Sequence, residues 1–162
     1  MPVKINTINT LKKELEFLPK EEIIQYCLRL AKYKKDNKEL LNYLLFEADD
    51  EAEYIRQIKE EIEAEFKGVN RNTLYFAKKS IRRIHRIVTK HIRYSGSKQT
   101  EVELLIFFCL QMRQCGVAVG ESKVLVNLYQ RQLKTIDKTL GGLHEDLQVD
   151  YQEELEEIRK VL

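Results

Sequence analysis

Proline and glycine are scarce in this chain, two and six in 162 residues, and long stretches contain neither. A sheet protein of this size needs many more turn residues, so the shortage points away from a β fold. Long apolar runs are missing as well. The longest, Leu104 to Leu110, is seven residues, where a membrane-spanning helix needs about 20. The first residues, Met1 to Thr7, lack the apolar centre of a secretory signal. The three cysteines, Cys27, Cys109 and Cys115, are odd in number and show no Cys-x-x-Cys spacing. They fit free thiols in a reducing compartment better than a disulfide framework or a zinc site. A cytoplasmic protein with no membrane partner is the expectation.

What is present is helical periodicity. Apolar residues make up 43% and charged residues 33%, the balance of a helical protein with a salt-bridged exterior. A chain of this length buries roughly 70% of its unfolded surface and folds without staples. A short first helix is expected over 7–17, and Pro19 then opens a second carrying Ile23, Ile24, Cys27, Leu28, Leu30 and Ala31 on one face. Asp36 with Glu39, and Asp50 with Glu53, have capping-box-like spacing and predict the starts of a third and a fourth helix. Gly68 stands where a left-handed C-terminal cap would end the fourth. The fifth runs over about 72–94. Thr100 with Glu103 predicts a capping box for the sixth, apolar nearly all round and therefore central. A seventh spans Val124 to Leu140, and an acidic eighth runs over about 146–162. The fold class is all-α, with about eight antiparallel helices in a compact, helical-repeat-like domain covering 1–162.

Glu21–Leu30 overlays Glu103–Met112 with four identities in ten positions. That match suggests two related helical-hairpin halves, 18–67 and 100–142, joined by the basic helix 72–94. Chance similarity of two leucine-rich core helices explains the match equally well. The stretch 18–47 (LPKEEIIQYCLRLAKYKKDNKELLNYLLFE) resembles the opening of small all-helical bacterial proteins of unknown function. The resemblance implies a helical fold and transfers no functional residue.

Charge is segregated along the chain. Residues 47–65 hold nine acids against two bases, 66–100 hold ten bases and no acid, and the last twenty residues hold seven acids against two bases. On the fifth helix Leu74, Ala77, Ile81, Ile84 and Val88 follow one stripe. Lys79, Arg83, Arg86, Lys90 and Arg93 follow the opposite one, widened by Lys78 and Arg82. Like charges at i,i+4 cost about 0.2–0.5 kcal/mol per pair, so something should offset the row. Either the acidic fourth or eighth helix neutralises it within the molecule, or it meets an anionic partner.

No catalytic chemistry emerges. His85 and His91 are six apart, about 120° around a helix, and cannot share a metal. Gly116 to Gly120 superficially resembles a phosphate loop, but the spacing is wrong and no strand precedes it. Cys109 and Cys115 lack a nearby base, and the paired carboxylates lie in solvated runs. The expectation is a non-enzymatic module without cofactor or metal that binds another protein, with homo-oligomers within its scope. The alternative is nucleic-acid binding through the phosphate backbone by Lys78, Lys79, Arg82, Arg83, Arg86, Lys90 and Arg93.

Overall fold

The computed structural model describes all 162 residues and contains no strand. The protein is all-α. Nine α-helices follow in order: α1 (Ile8–Glu16), α2 (Lys20–Tyr33), α3 (Lys35–Asn42), α4 (Glu51–Lys67), α5 (Leu74–Ser95), α6 (Lys98–Gln114), α7 (Lys123–Leu140), α8 (Glu145–Asp150) and α9 (Gln152–Arg159). A π-helical turn, Tyr43–Glu47, follows α3, and a 3₁₀ turn, Val119–Glu121, precedes α7. None of the helices is long and apolar enough to cross a membrane. The chain divides into two compact units, Met1–Phe46 and Glu47–Leu162. The division falls inside the 18–67 stretch that the internal sequence match groups together.

In the first unit Thr7 caps α1 by accepting from the Thr10 amide at 3.3 Å. Pro19 occupies the cap of α2 with φ −65°, one position earlier than a first-turn proline. Asp36 does not cap α3. Lys34 holds that position without a side-chain bond, and Asp36 lies in the first turn, where its charge suits the helix dipole. α2 and α3 pack together, and the Asn37 amide donates to the Leu30 carbonyl at 2.8 Å. No side chain of α1, α2 or α3 is buried. The π turn inserts an extra residue into the helical ladder and shifts the register. Tyr43 is buried while Leu44, Leu45 and Phe46 stand exposed.

The second unit is built round α6. Its low amphipathicity predicts a helix covered on several sides, and α4, α5, α7 and α9 all pack on it. Leu104, Leu105, Ile106, Phe108, Cys109 and Met112 are buried, and Phe108 meets Phe66 of α4 with ring centroids 5.6 Å apart. From α4 come Ile55, Ile58, Ile62 and Phe66, and from α5 Ala77, Ile81, Ile84 and Val88. α2 resembles α6 over ten residues yet buries nothing, so the two segments occupy unlike surroundings.

Three boundaries of this second unit differ from expectation. Ser97, not Thr100, caps α6, accepting from the Thr100 amide at 3.3 Å. Thr100 is fully buried and donates its hydroxyl to Glu51 of α4 at 2.6 Å, while Glu103 serves Lys59 at 2.7 Å. Gly68 has φ −85° rather than a left-handed value. The Gly68 amide still donates to the Ala64 carbonyl at 3.3 Å, and the Arg71 guanidinium donates to the carbonyls of Phe66 and Val69, both at 3.1 Å, and of Cys115 at 2.6 Å. Gly96, ending α5, does adopt the left-handed conformation at φ +67°. The expected eighth helix is two, broken at Tyr151, whose ring is buried and whose hydroxyl donates to Glu103 at 3.3 Å.

Candidate functional site

α5 is a 22-residue helix with two clean faces. Thr73 caps it by accepting from the Phe76 amide at 3.2 Å, and the Ala77, Ile81, Ile84, Val88 stripe lies fully in the core. That orientation is fixed by burial. Ile81, Ile84 and Val88, at about 1.5–3 kcal/mol each, outweigh the like-charge cost of the cationic row.

α7 is capped by Ser122, which accepts from the Leu125 amide at 3.3 Å, and buries Leu125, Leu128, Tyr129, Gln132, Ile136 and Leu140. α5 and α7 each pack on α6 and scarcely touch one another. Between them lies a groove of about 750 Å³ lined by Tyr75, Lys78, Lys79, Arg82, His85, Arg86, Val124, Leu128 and Arg131. Five of those nine residues are cationic and none is acidic.

The seven basic residues of the sequence reading are thereby sorted. Lys78, Lys79, Arg82 and Arg86 share the groove. Arg83 turns away from it and pairs with Glu65 of α4. Lys90 and Arg93 lie further along α5, beyond the lining. Internal neutralisation is thus met at Arg83 and not at the four groove cations, none of which forms an ion pair. Elsewhere on α4, Glu53 and Glu60 hold Arg56, Glu63 holds Lys67 at 3.0 Å, and Glu61 lies 3.2 Å from Nε2 of His91. The C-terminal acids do not reach α5 either. α9 sits on α6, with Arg159 on Asp137 at 2.7 Å and Lys160 on Glu157.

Arg131 is the cation the sequence reading missed. Its Nε donates to the Asn127 carbonyl at 3.3 Å, and no carboxylate meets it. The signal for it was the spacing Val124, Leu128, Arg131, which places it on the margin of the apolar face of α7.

The histidines divide by role. Tyr54 Oη lies 2.8 Å from His91 Nδ1, and with Glu61 on the other nitrogen the ring is a satisfied structural group. His144 accepts from the Asp146 amide at 3.3 Å and caps α8. His85 lines the groove with its ring 5.5 Å from that of Phe108. Its buried Nε2 has no hydrogen-bond partner. Burial holds its pKa below the ordinary 6.5, Gln132 opposes the shift, and the nearby Arg131 charge adds to it. A neutral imidazole with a spare nitrogen therefore sits among five cations.

No nucleophile stands beside a base here. The Cys109 thiol is buried, and burial pushes its pKa up to about 12, far from a reactive thiolate. No three His, Cys, Asp or Glu side chains gather as a metal-binding group would. No protein-family model, curated protein or solved structure matches the chain.

Proposed function

We propose that the chain is a non-enzymatic helical module that binds a phosphate backbone, that of a nucleic acid, in the groove between α5 and α7. The observation that carries this reading is the acid-free lining: five cations from two helices converge on one concave surface without an ion-pair partner. Convergence of like charge raises the local potential and favours an anion there. Three of the five are arginines, Arg82, Arg86 and Arg131, whose planar forks grip phosphate oxygens bidentately and stay charged throughout the accessible pH range.

The test is the salt dependence of binding to a labelled oligonucleotide. With about five phosphates neutralised, log affinity falls with log salt at a slope of roughly −3.5 for a single strand and nearer −4.5 for a duplex. Arg82→Glu combined with Arg131→Glu is expected to abolish binding, whereas Arg93→Glu, outside the groove, leaves most of it. A flat salt dependence, or equal binding to polyglutamate, would return the groove to an acidic protein partner.

A second reading, docking of another protein, is favoured by the first unit. Leu28, Leu30, Leu44, Leu45 and Phe46 are each half exposed or more, and Tyr26, Arg29, Leu30 and Tyr33 line a hollow of about 470 Å³ on α2. Apolar surface gathered in this way marks protein contacts in soluble proteins. A strictly monomeric species at tens of micromolar that binds no apolar dye would remove that reading.

A further inference from the structure

The groove does not end in lysine and arginine alone. At the N-terminal end of its α5 wall stands Tyr75, 65% exposed, with Phe76 beside it at 44%. The two rings meet edge to face at 5.5 Å and an interplanar angle of 74°. Large aromatic rings left this open lose the burial that normally justifies them, since each full burial is worth about 1.5–3 kcal/mol. In this pair Phe76 supports Tyr75, and the outer face of the tyrosine is available.

Shape separates the nucleic-acid forms. A duplex is read by a protruding helix or a broad basic surface, because its backbones are far apart and its bases are turned inward. Here the cations line a recess between two helices that both rest on α6, a channel suited to one backbone. From Tyr75 to Arg86 the wall rises roughly 16 Å at 1.5 Å per residue. A basic track with an open aromatic ring at one end is how sequence-tolerant single-strand binders are built.

We infer that the α5–α7 groove takes a single-stranded nucleic acid, its phosphates on Lys78, Lys79, Arg82, Arg86 and Arg131 and one base stacked on Tyr75. This inference rests on the phosphate-backbone reading above and adds strand form and a stacking site to it. The experiment compares three probes by fluorescence anisotropy with the full chain: a ten-nucleotide oligouridylate, a blunt duplex of the same length and inorganic polyphosphate. The oligouridylate is expected to bind at least tenfold more tightly than the duplex. Tyr75→Ala is expected to weaken it about tenfold while leaving polyphosphate affinity within twofold, and Tyr75→Phe is expected to restore it. Duplex affinity equal to or above that of the single strand would overturn the inference while leaving the backbone reading standing. So would a Tyr75→Ala variant that binds oligouridylate as the native chain does. Absence of binding to all three probes would bring down both.

Discussion

His85 shows how much depends on what covers a side chain. The sequence reading treated it only together with His91, as a pair too far apart around the helix to share a metal. His91 is a hydrogen-bonded structural ring, whereas His85 is half-buried, its ring against Phe108 and its buried Nε2 unused. Its folded pKa lies below the unfolded value of 6.5 because burial disfavours the imidazolium, with Arg131 adding to the effect. The unfolded chain therefore takes up a proton first as pH falls. The stabilisation is fully present above pH 6.5 and is lost as pH drops from there towards the folded pKa. Urea midpoints measured between pH 8 and 5 are expected to decline over this interval, and His85→Gln to decline less. Phosphate in the groove would favour the imidazolium, so bound oligonucleotide is expected to flatten the native curve too. The cysteines make a similar point. All three sit in apolar helical runs, yet Cys27 is exposed while Cys109 and Cys115 are buried. One rapid maleimide addition per native molecule is expected by mass, with the other two sites reacting only after denaturation. Sequence could not separate Cys27 from Cys109, because the two stand at the same place in the ten-residue match between α2 and α6.

Among the helices, periodicity was the readable signal and termini the poor one. The stripes of α4 and α5 and the central place of α6 follow from the spacing of isoleucine, leucine and phenylalanine, because burial acts on every turn and accumulates. A cap is a single hydrogen bond worth about 1 kcal/mol, and tertiary partners readily displace it. Asp50 is a cap as expected, accepting from the Glu53 amide at 3.1 Å. Thr100 is claimed by Glu51, and Glu103 by Lys59 and Tyr151. Arg71 illustrates the same competition. It was counted as one of ten bases in a run, and instead it ties the end of α4 to the end of α6 through carbonyls from Phe66, Val69 and Cys115. Hydrogen bonds from a charged donor are worth about 1.5–3 kcal/mol each before the remaining groups turn to water. Arg71→Ala is expected to lower unfolding stability by about 2–3 kcal/mol, read from the urea midpoint. Arg71→Lys should recover little, since one ammonium cannot serve three separated acceptors. Asp50→Ala is expected to cost only about 1 kcal/mol. The groove was half legible for a related reason. Its α5 wall lies on one helix and shows as a stripe, while the spacing on α7 puts Arg131 at the margin of an apolar face and only tertiary packing sets it opposite that stripe.

At the scale of the molecule, the two units are made differently. The core residues of Glu47–Leu162 gather on α6, while α1, α2 and α3 bury no side chain and carry their apolar residues outward. Leu28→Glu together with Leu45→Glu is therefore expected to leave the thermal midpoint within about 2 °C, the change given by a few tenths of a kcal/mol. The same pair should lower binding of an apolar dye. Phe108→Ala, in the other unit, is expected to cost about 3–5 kcal/mol, a large share of the 5–15 kcal/mol typical of a whole domain.

The spacing of α5 and α7 carries one more consequence. Two helices that meet chiefly through a third have a separation set by the girth of that third helix, here at Phe108 and the His85 ring lying on it. Aperture is then a property of the interior. A Phe108→Leu substitution touches no charge and removes no contact to an occupant, yet it lets the walls sag inward and alters the fit. Reciprocally, a strand bound there as proposed would brace the walls, and at a hundred times its dissociation constant would contribute about 2.7 kcal/mol to the resistance of the fold. Occupancy can thus be read by calorimetry as well as by titration.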